Sequence, residues 1–347
     1  LGAAIISAAS VLGLLSTLGL GIALVRFLPK AEKPVDMINT CFTLGGIVAV
    51  ALAAIFVAGL GLWSPALGFI KDNAIFFVAF ISFVLFFTLS TLMESTFIAR
   101  RRAEFALSTS AISSLLRISL AVLLVLFFHA FGIVGSWGIA IIVAFVISLF
   151  FFVPRVQNGY KPMPKLDVGI INNTWRYSAG NYVAILFLSA PALVLPIMVV
   201  NLLGAEQNAY FYIAWMIANL LFAIPLAVSR SLFAEGSHFE EELGVNVRKS
   251  LRFIFVLLIP AIIIILLAGK WLLLLFGEGY SANALMLLWI LGLSSMFVGV
   301  NSVYMSILRV AGRIRELVTI SGFITIAVLL ASYLVTPATG IVGIGYT

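Results

Sequence analysis

Charge is scarce in this chain. Of its 347 residues, 10% are Asp, Glu, Lys or Arg, 63% are hydrophobic, and the mean hydropathy is +1.22. Soluble domains carry about 25% charged residues, so a fully solvated surface is excluded. A single cysteine, Cys41, excludes an intrachain disulfide and a multi-thiolate zinc site. The two histidines, His129 and His238, lie too far apart for ligand spacing. The chain contains no His-Glu-x-x-His, no glycine-rich loop ending in Lys-Ser/Thr and no paired aspartates in a loop. Gly277-Glu278-Gly279 has no strand before it, so it reads as a turn. We expect no enzyme, no cofactor and no metal. The net charge of +7 would suit nucleic acid only on a soluble domain, and none is visible.

Apolar runs are what the chain has in abundance. A transmembrane helix needs about 20 apolar residues. Such runs fall at 1–25, 41–63, 74–99, 106–128, 132–153, 177–203, 207–231, 251–269, 282–308 and 316–336, and another begins near Ile341. The expected fold is an all-α membrane protein, a polytopic helical bundle. The run from Leu1 has no basic leader and no cleavage site, so it reads as a helix and not a signal peptide.

The chain also copies itself. Gly132-Ile133-Val134-Gly135 returns as Gly340-Ile341-Val342-Gly343, an offset of 208 from 132 to 340. Arg101 returns as Arg309 and Trp63 as Trp271 at the same offset, Asn73-Ala74 as Asn283-Ala284, and Arg26 as Arg230. Duplicated bundles are the usual build of secondary transporters. We expect two repeated six-helix lobes truncated at both ends, with ten full transmembrane helices and one partial one. The lobes are 1–153, with its first helix missing, and 177–347, with its last helix cut short. A linker at 154–176 separates them, its Pro154, Pro162, Pro164 and Asn172-Asn173 breaking any helix.

Most basic residues sit in alternate connections: Arg26, Lys30 and Lys33; Arg100, Arg101 and Arg102; Arg155, Lys161, Lys165 and Arg176; Arg230, Arg248, Lys249 and Arg252; Arg309, Arg313 and Arg315. The opposite connections hold Lys71 and Lys270. The positive-inside rule predicts that the basic side is cytoplasmic in a multi-pass cell-membrane protein. The Glu240-Glu241-Glu242 run reads as a solvated helix face.

Arg117 is the exception, well inside its run. A charge near the bilayer centre costs at least ~2.5 kcal/mol and usually faces a bundle interior or pathway. It reads equally as a pathway residue or as half of a structural ion pair with Glu94 on the preceding helix. Arg26 and Arg230, each read as ending a helix, form a repeat-related pair suited to an anionic headgroup, because guanidinium grips phosphate bidentately. Their plainer reading is snorkelling at the interface. Asn181, Asn201, Asn219 and Asn301 are amides within spans, which often bridge helices; Asn219 and Asn301 lie mid-helix and are candidate cavity residues. Pro191 and Pro196 are expected to bend the span at 177–203.

Leu203-Gly204-Ala205-Glu206 precedes Ala209-Tyr210-Phe211-Tyr212-Ile213-Ala214-Trp215. Ile224-Pro225-Leu226-Ala227 and Ser231-Leu232-Phe233-Ala234-Glu235-Gly236-Ser237 follow. With Leu275-Phe276-Gly277-Glu278-Gly279-Tyr280-Ser281 and Leu308-Arg309-Val310-Ala311-Gly312-Arg313, these stretches resemble polysaccharide biosynthesis membrane proteins. Those are O-antigen and lipid-linked oligosaccharide flippases of the multidrug/oligosaccharidyl-lipid/polysaccharide exporter superfamily. The resemblance is strongest over 175–315. It implies two helical lobes, a central hydrophilic cavity and alternating access. It further implies flipping of a polyprenyl-diphosphate-linked oligosaccharide across the cytoplasmic membrane for polysaccharide or O-antigen biosynthesis. The expected partners are that lipid-linked oligosaccharide, the bilayer and a coupling ion, Na+ or H+; the expected state is a monomer. A multidrug or small-cation antiporter of the same superfamily is the alternative, and it would want more buried carboxylate than Glu94. A membrane glycosyltransferase or polymerase would want a large acidic outer loop, which the chain lacks.

Overall fold

The computed structural model describes residues 2–63, 67–128 and 130–347, and the side chains of these from residue 5 onward except 62, 63, 127, 128, 130 and 131. His129 and the Trp63 side chain therefore lie outside the described residues.

The chain is an all-helical polytopic membrane protein. Its principal helices are α1 (Gly2–Ser16), α2 (Leu20–Phe27), α3 (Pro34–Ala58), α4 (Ala74–Ala99), α5 (Ala103–Phe128), α6 (Ala130–Ile147), α7 (Val168–Leu203), α8 (Ala205–His238), α9 (Leu243–Leu274), α10 (Glu278–Val310), α11 (Ile314–Thr339) and α12 (Ile341–Gly345). A π-helical stretch, Ser148–Phe152, and one further turn prolong α6. Among the described residues, nine helices are long and apolar enough to cross a bilayer; α1 and α2 together make a tenth span, bent by 46°.

The ends follow from local chemistry. Pro34 and Asp36 open α3, where a missing N–H costs nothing and a carboxylate complements the helix dipole. Asn73 caps α4 by accepting from the Ile75 N–H at 2.9 Å. Asp167 caps α7 by accepting from the Ile170 N–H at 3.2 Å.

Three expectations need correction. The first run is not one helix: Leu18 and Gly19 take positive φ of 47° and 74° and break it. A Cβ on Gly19 would sit 2.3 Å from the Ser178 carbonyl oxygen, so glycine is required there. The segment 168–176 is helical and runs through Asn172-Asn173, because the Asp167 cap outweighs their turn preference. Pro191 and Pro196 both stand inside α7. Arg230 does not end its helix, since α8 continues to His238.

The chain divides into two compact units, 1–179 and 180–347. In the first, α1 packs on α3, α4 and α6, α3 packs on α4, α4 packs on α5 and α6, and α5 packs on α6. In the second, α8 packs on α9, α10 and α12, α9 packs on α10, α10 packs on α11 and α12, and α11 packs on α12. Substituting α8–α12 for α1 and α3–α6 in order turns the first set of pairs into the second. Each unit has its own apolar core, one around Phe80, Phe83 and Trp137, the other around Phe211, Leu258 and Leu288.

The corresponding helices α4 and α10 also end alike. The Arg102 N–H reaches the Phe97 carbonyl at 2.9 Å, and the Arg313 N–H reaches the Leu308 carbonyl at 2.9 Å. These are Schellman caps with a left-handed residue, Arg101 at φ 58° and Gly312 at φ 68°. The caps pair Arg101 with Gly312, an offset of 211, three residues beyond the Arg101–Arg309 pairing read from sequence.

The segment before α7 is strapped down. The Asn39 amide donates to the Lys161 carbonyl at 2.9 Å, and Thr43 and Thr40 hydroxyls accept from the N–H groups of Lys165 (3.0 Å) and Asp167 (3.2 Å). Lys165 pairs with Asp36 at 2.7 Å. Arg100 donates to the Gln157 side chain. Burial pushes the Tyr160 phenol up to about 12.

Candidate functional site

The site begins with the polarity of α5. At about 100° per residue, Thr109, Ser110, Ser113 and Arg117 fall on one stripe of this helix. Leu107, Leu115, Ile118 and Val122 fall on the other side and are exposed, with relative accessibilities of 66–71%. The stripe carrying Arg117, itself exposed along with Ser110, lies on the opposite side of the helix from these apolar residues. On α4 the residues Phe87, Ser90, Thr91, Glu94 and Phe97 recur at helical spacing on one face.

The two stripes line a cavity of about 310 Å³, completed by Ile141 and Ala144 of α6. Both Glu94 and Arg117 belong to its wall. They do not form an ion pair. Glu94 is five residues from the end of α4 and Arg117 is fourteen residues into α5. At about 1.5 Å per residue their depths differ by about 13 Å, beyond the reach assumed in reading them as partners. Each is instead open to the cavity. Toward the α4–α5 connection the lining residue Phe97 is backed by further rings: Phe97 meets Phe105 at 6.0 Å, and Phe105 meets Phe152 at 5.2 Å. At the other end Phe87 stacks on Trp137 at 6.0 Å.

The other candidates are placed apart from this cavity. Arg26 stands in the last turn of α2 in the first unit. Asn219 and Arg230 lie on α8 in the second unit, eleven residues and about three turns apart, hence on one exposed face with Tyr212 and Met216. The Asn219 amide donates to the Trp215 carbonyl of its own helix at 2.8 Å, leaving its carbonyl oxygen available. Asn301 is half-buried on α10. Asn181 is a bridge, fully buried and accepting from Arg309 Nε at 3.2 Å. Asn201 lines a separate, apolar cavity of about 400 Å³ with Val194, Met198 and Tyr333. The hydroxyl rows of α4 and α5 escaped the residue-by-residue reading. Their signal is a Ser/Thr period of three and four inside an otherwise apolar run. Among the described residues no group of three His, Cys, Asp or Glu is assembled that could hold a metal.

The comparisons with known proteins agree on a class. The family profile described as "Polysaccharide biosynthesis protein" matches residues 1–284. A Shigella flexneri protein named "Putative O-antigen transporter" is 30% identical over 119 residues, 33% of this chain and 28% of that protein. The chain thus spans less than a third of this curated relative. Among solved structures, the Vibrio cholerae MATE transporter VcmN in its bent form matches with a TM-score of 0.78 at 18% identity, over 98% of this chain and 82% of that one. A MATE protein in complex with MaD5 matches with a TM-score of 0.79 at 14% identity, over 99% and 82%. The outward-facing conformation of a multidrug resistance MATE family transporter of the MOP superfamily gives 0.78 at 16% identity, over 97% and 80%. At these identities the likeness is one of fold.

Proposed function

From the premise that this chain belongs to the polysaccharide biosynthesis protein family and carries the fold of MATE transporters, we propose that it flips a polyprenyl-diphosphate-linked oligosaccharide across the cell membrane by alternating access. The observation that carries this reading is the hydroxyl-lined cavity with Arg117 at membrane depth. A guanidinium in a cavity wall and left without a protein counter-ion is a site for an anion brought from outside. Diphosphate supplies that anion. Arg26 on the first unit and Arg230 on the second are each suited to an anionic headgroup, and the Asn219 carbonyl oxygen is available to a sugar hydroxyl. The basic connections then face the cytoplasm, where the lipid-linked precursor is loaded. A cationic drug fits this cavity poorly, because Arg117 offsets the attraction of Glu94.

Export of lipid-linked sugar, measured by complementation in cells lacking the transporter, tests the reading. Arg117→Leu should abolish export while the protein still inserts, and Arg117→Lys should restore part of it, since charge returns without the bidentate fork. Normal export by Arg117→Leu would remove Arg117 from the substrate path.

A further inference from the structure

Serine and threonine inside apolar helices usually turn their hydroxyls back onto the preceding turn. This chain does so repeatedly: Ser10 donates to the Ile6 carbonyl at 2.8 Å, Ser95 to Thr91 at 3.0 Å, and Thr96 to Leu92 at 2.9 Å. In the cavity wall Thr91 and Thr109 keep that habit, bonding to the Phe87 and Phe105 carbonyls at 2.9 and 2.8 Å, and the serines depart from it. Ser90 of α4 and Ser110, Ser113 and Ser114 of α5 line the cavity and make no hydrogen bond within the protein. Neither do Glu94 and Arg117. Six polar side chains therefore line one space with their hydrogen-bonding capacity unspent within the protein, Glu94, Ser110, Ser114 and Arg117 exposed and Ser90 and Ser113 half-buried.

The chemistry of the six narrows what fills the space. A polyprenyl chain has no donors or acceptors and would leave every hydroxyl unpaired. A diphosphate only accepts, which suits Arg117 but is repelled by the Glu94 carboxylate, itself an acceptor only. Sugar hydroxyls donate and accept, so they satisfy serine and carboxylate alike. The spacing fits as well, because Glu94 and Arg117 differ in depth by about 13 Å, with the serine rows between them.

We propose that the groove between α4 and α5 is a carbohydrate subsite. Arg117 takes the phosphate that bears the sugar, the serines take its hydroxyls, and Glu94 accepts from hydroxyl or amino groups further along. The subsite selects against acidic sugars, whose carboxylates would meet Glu94 without a proton or cation between them. This rests on the flippase reading and adds to it the orientation and charge class of the cargo.

The test uses the full-length protein in proteoliposomes with two probes, a polyprenyl diphosphate carrying a neutral N-acetylhexosamine and one carrying a hexuronic acid. The unaltered protein should move the neutral lipid at least about tenfold faster, because juxtaposed like charges suppress the wrong ligand by at least that order. Glu94→Gln keeps the shape and loses no protein partner, so it should fold; it should raise transport of the acidic lipid about tenfold and shrink the preference. Glu104→Gln removes a carboxylate that pairs with Arg102 at 3.1 Å outside the cavity, and it should leave the preference unchanged. Equal rates for both lipids, or a preference untouched by Glu94→Gln, overturn the subsite and leave the flippase reading standing. Movement of neither lipid by the unaltered protein overturns both.

Discussion

The strap before α7 can be loosened without touching the cavity. The triple variant Asn39→Ala, Thr40→Val, Thr43→Val removes the three side-chain bonds to Lys161, Lys165 and Asp167 and leaves the Asp36–Lys165 pair. Each bond contributes about 1 kcal/mol net. The three act on one short segment, so they couple, and about 3 kcal/mol is the additive figure. The surviving ion pair, with both groups partly exposed, adds less than about 1 kcal/mol. Local opening should therefore become about two orders of magnitude more frequent, at 1.4 kcal/mol per tenfold. Trypsin reads this directly. The bond after Lys161 precedes Pro162 and resists cleavage, so the reporter is the Lys165–Leu166 bond. Where opening and closing outrun cutting, the cleavage rate follows the open population. The triple variant should be cut about 100-fold faster and Thr43→Val alone about fivefold faster. An unchanged rate in a triple variant that is otherwise intact would show that these bonds do not hold the segment.

Two further outcomes follow from the same geometry. Asn181→Leu removes the acceptor facing Arg309 Nε and should lower unfolding stability by about 1.5–3 kcal/mol, the range for bonds to charged groups; an unshifted denaturation midpoint would assign the bridge no weight. Cysteines placed at Lys33 and Lys71 should label with a membrane-impermeant reagent from opposite sides, Lys71 from outside, and labelling of Lys33 from outside in intact cells would reverse the orientation.

Hydropathy made the spans legible because membrane helices must be apolar over their whole crossing. It gave no account of what lies beyond the hydrocarbon. Helix α8 passes through Arg230 to His238 and α7 begins at Val168, because helices extend into the interface, where capping and not apolarity decides their ends. The break at Leu18–Gly19 was hidden for another reason. It depends on the backbone of Ser178, remote in sequence, which approaches too closely for any side chain at 19. Arg117 announced itself as a charge in an apolar run, and Glu94 as its neighbour. Their failure to pair was not visible, since it turns on a depth difference that helix ends set. The serine rows were visible as letters and silent as a site, because a hydroxyl that folds back and one that faces a cavity look the same in sequence.

The paired caps of α4 and α10 have a consequence for how the two units came to differ. Both turns demand a left-handed residue, and only one of them uses glycine. Arg101 accepts a conformation that costs a side-chain-bearing residue about 1–2 kcal/mol more than glycine. In return Arg100, Arg101 and Arg102 form an unbroken cationic triplet at the turn. In the second unit Arg309, Arg313 and Arg315 flank the turn, and Gly312 can relax. The first unit thus places a charge on the strained residue itself, and the second keeps its charges beside a turn that glycine leaves unstrained.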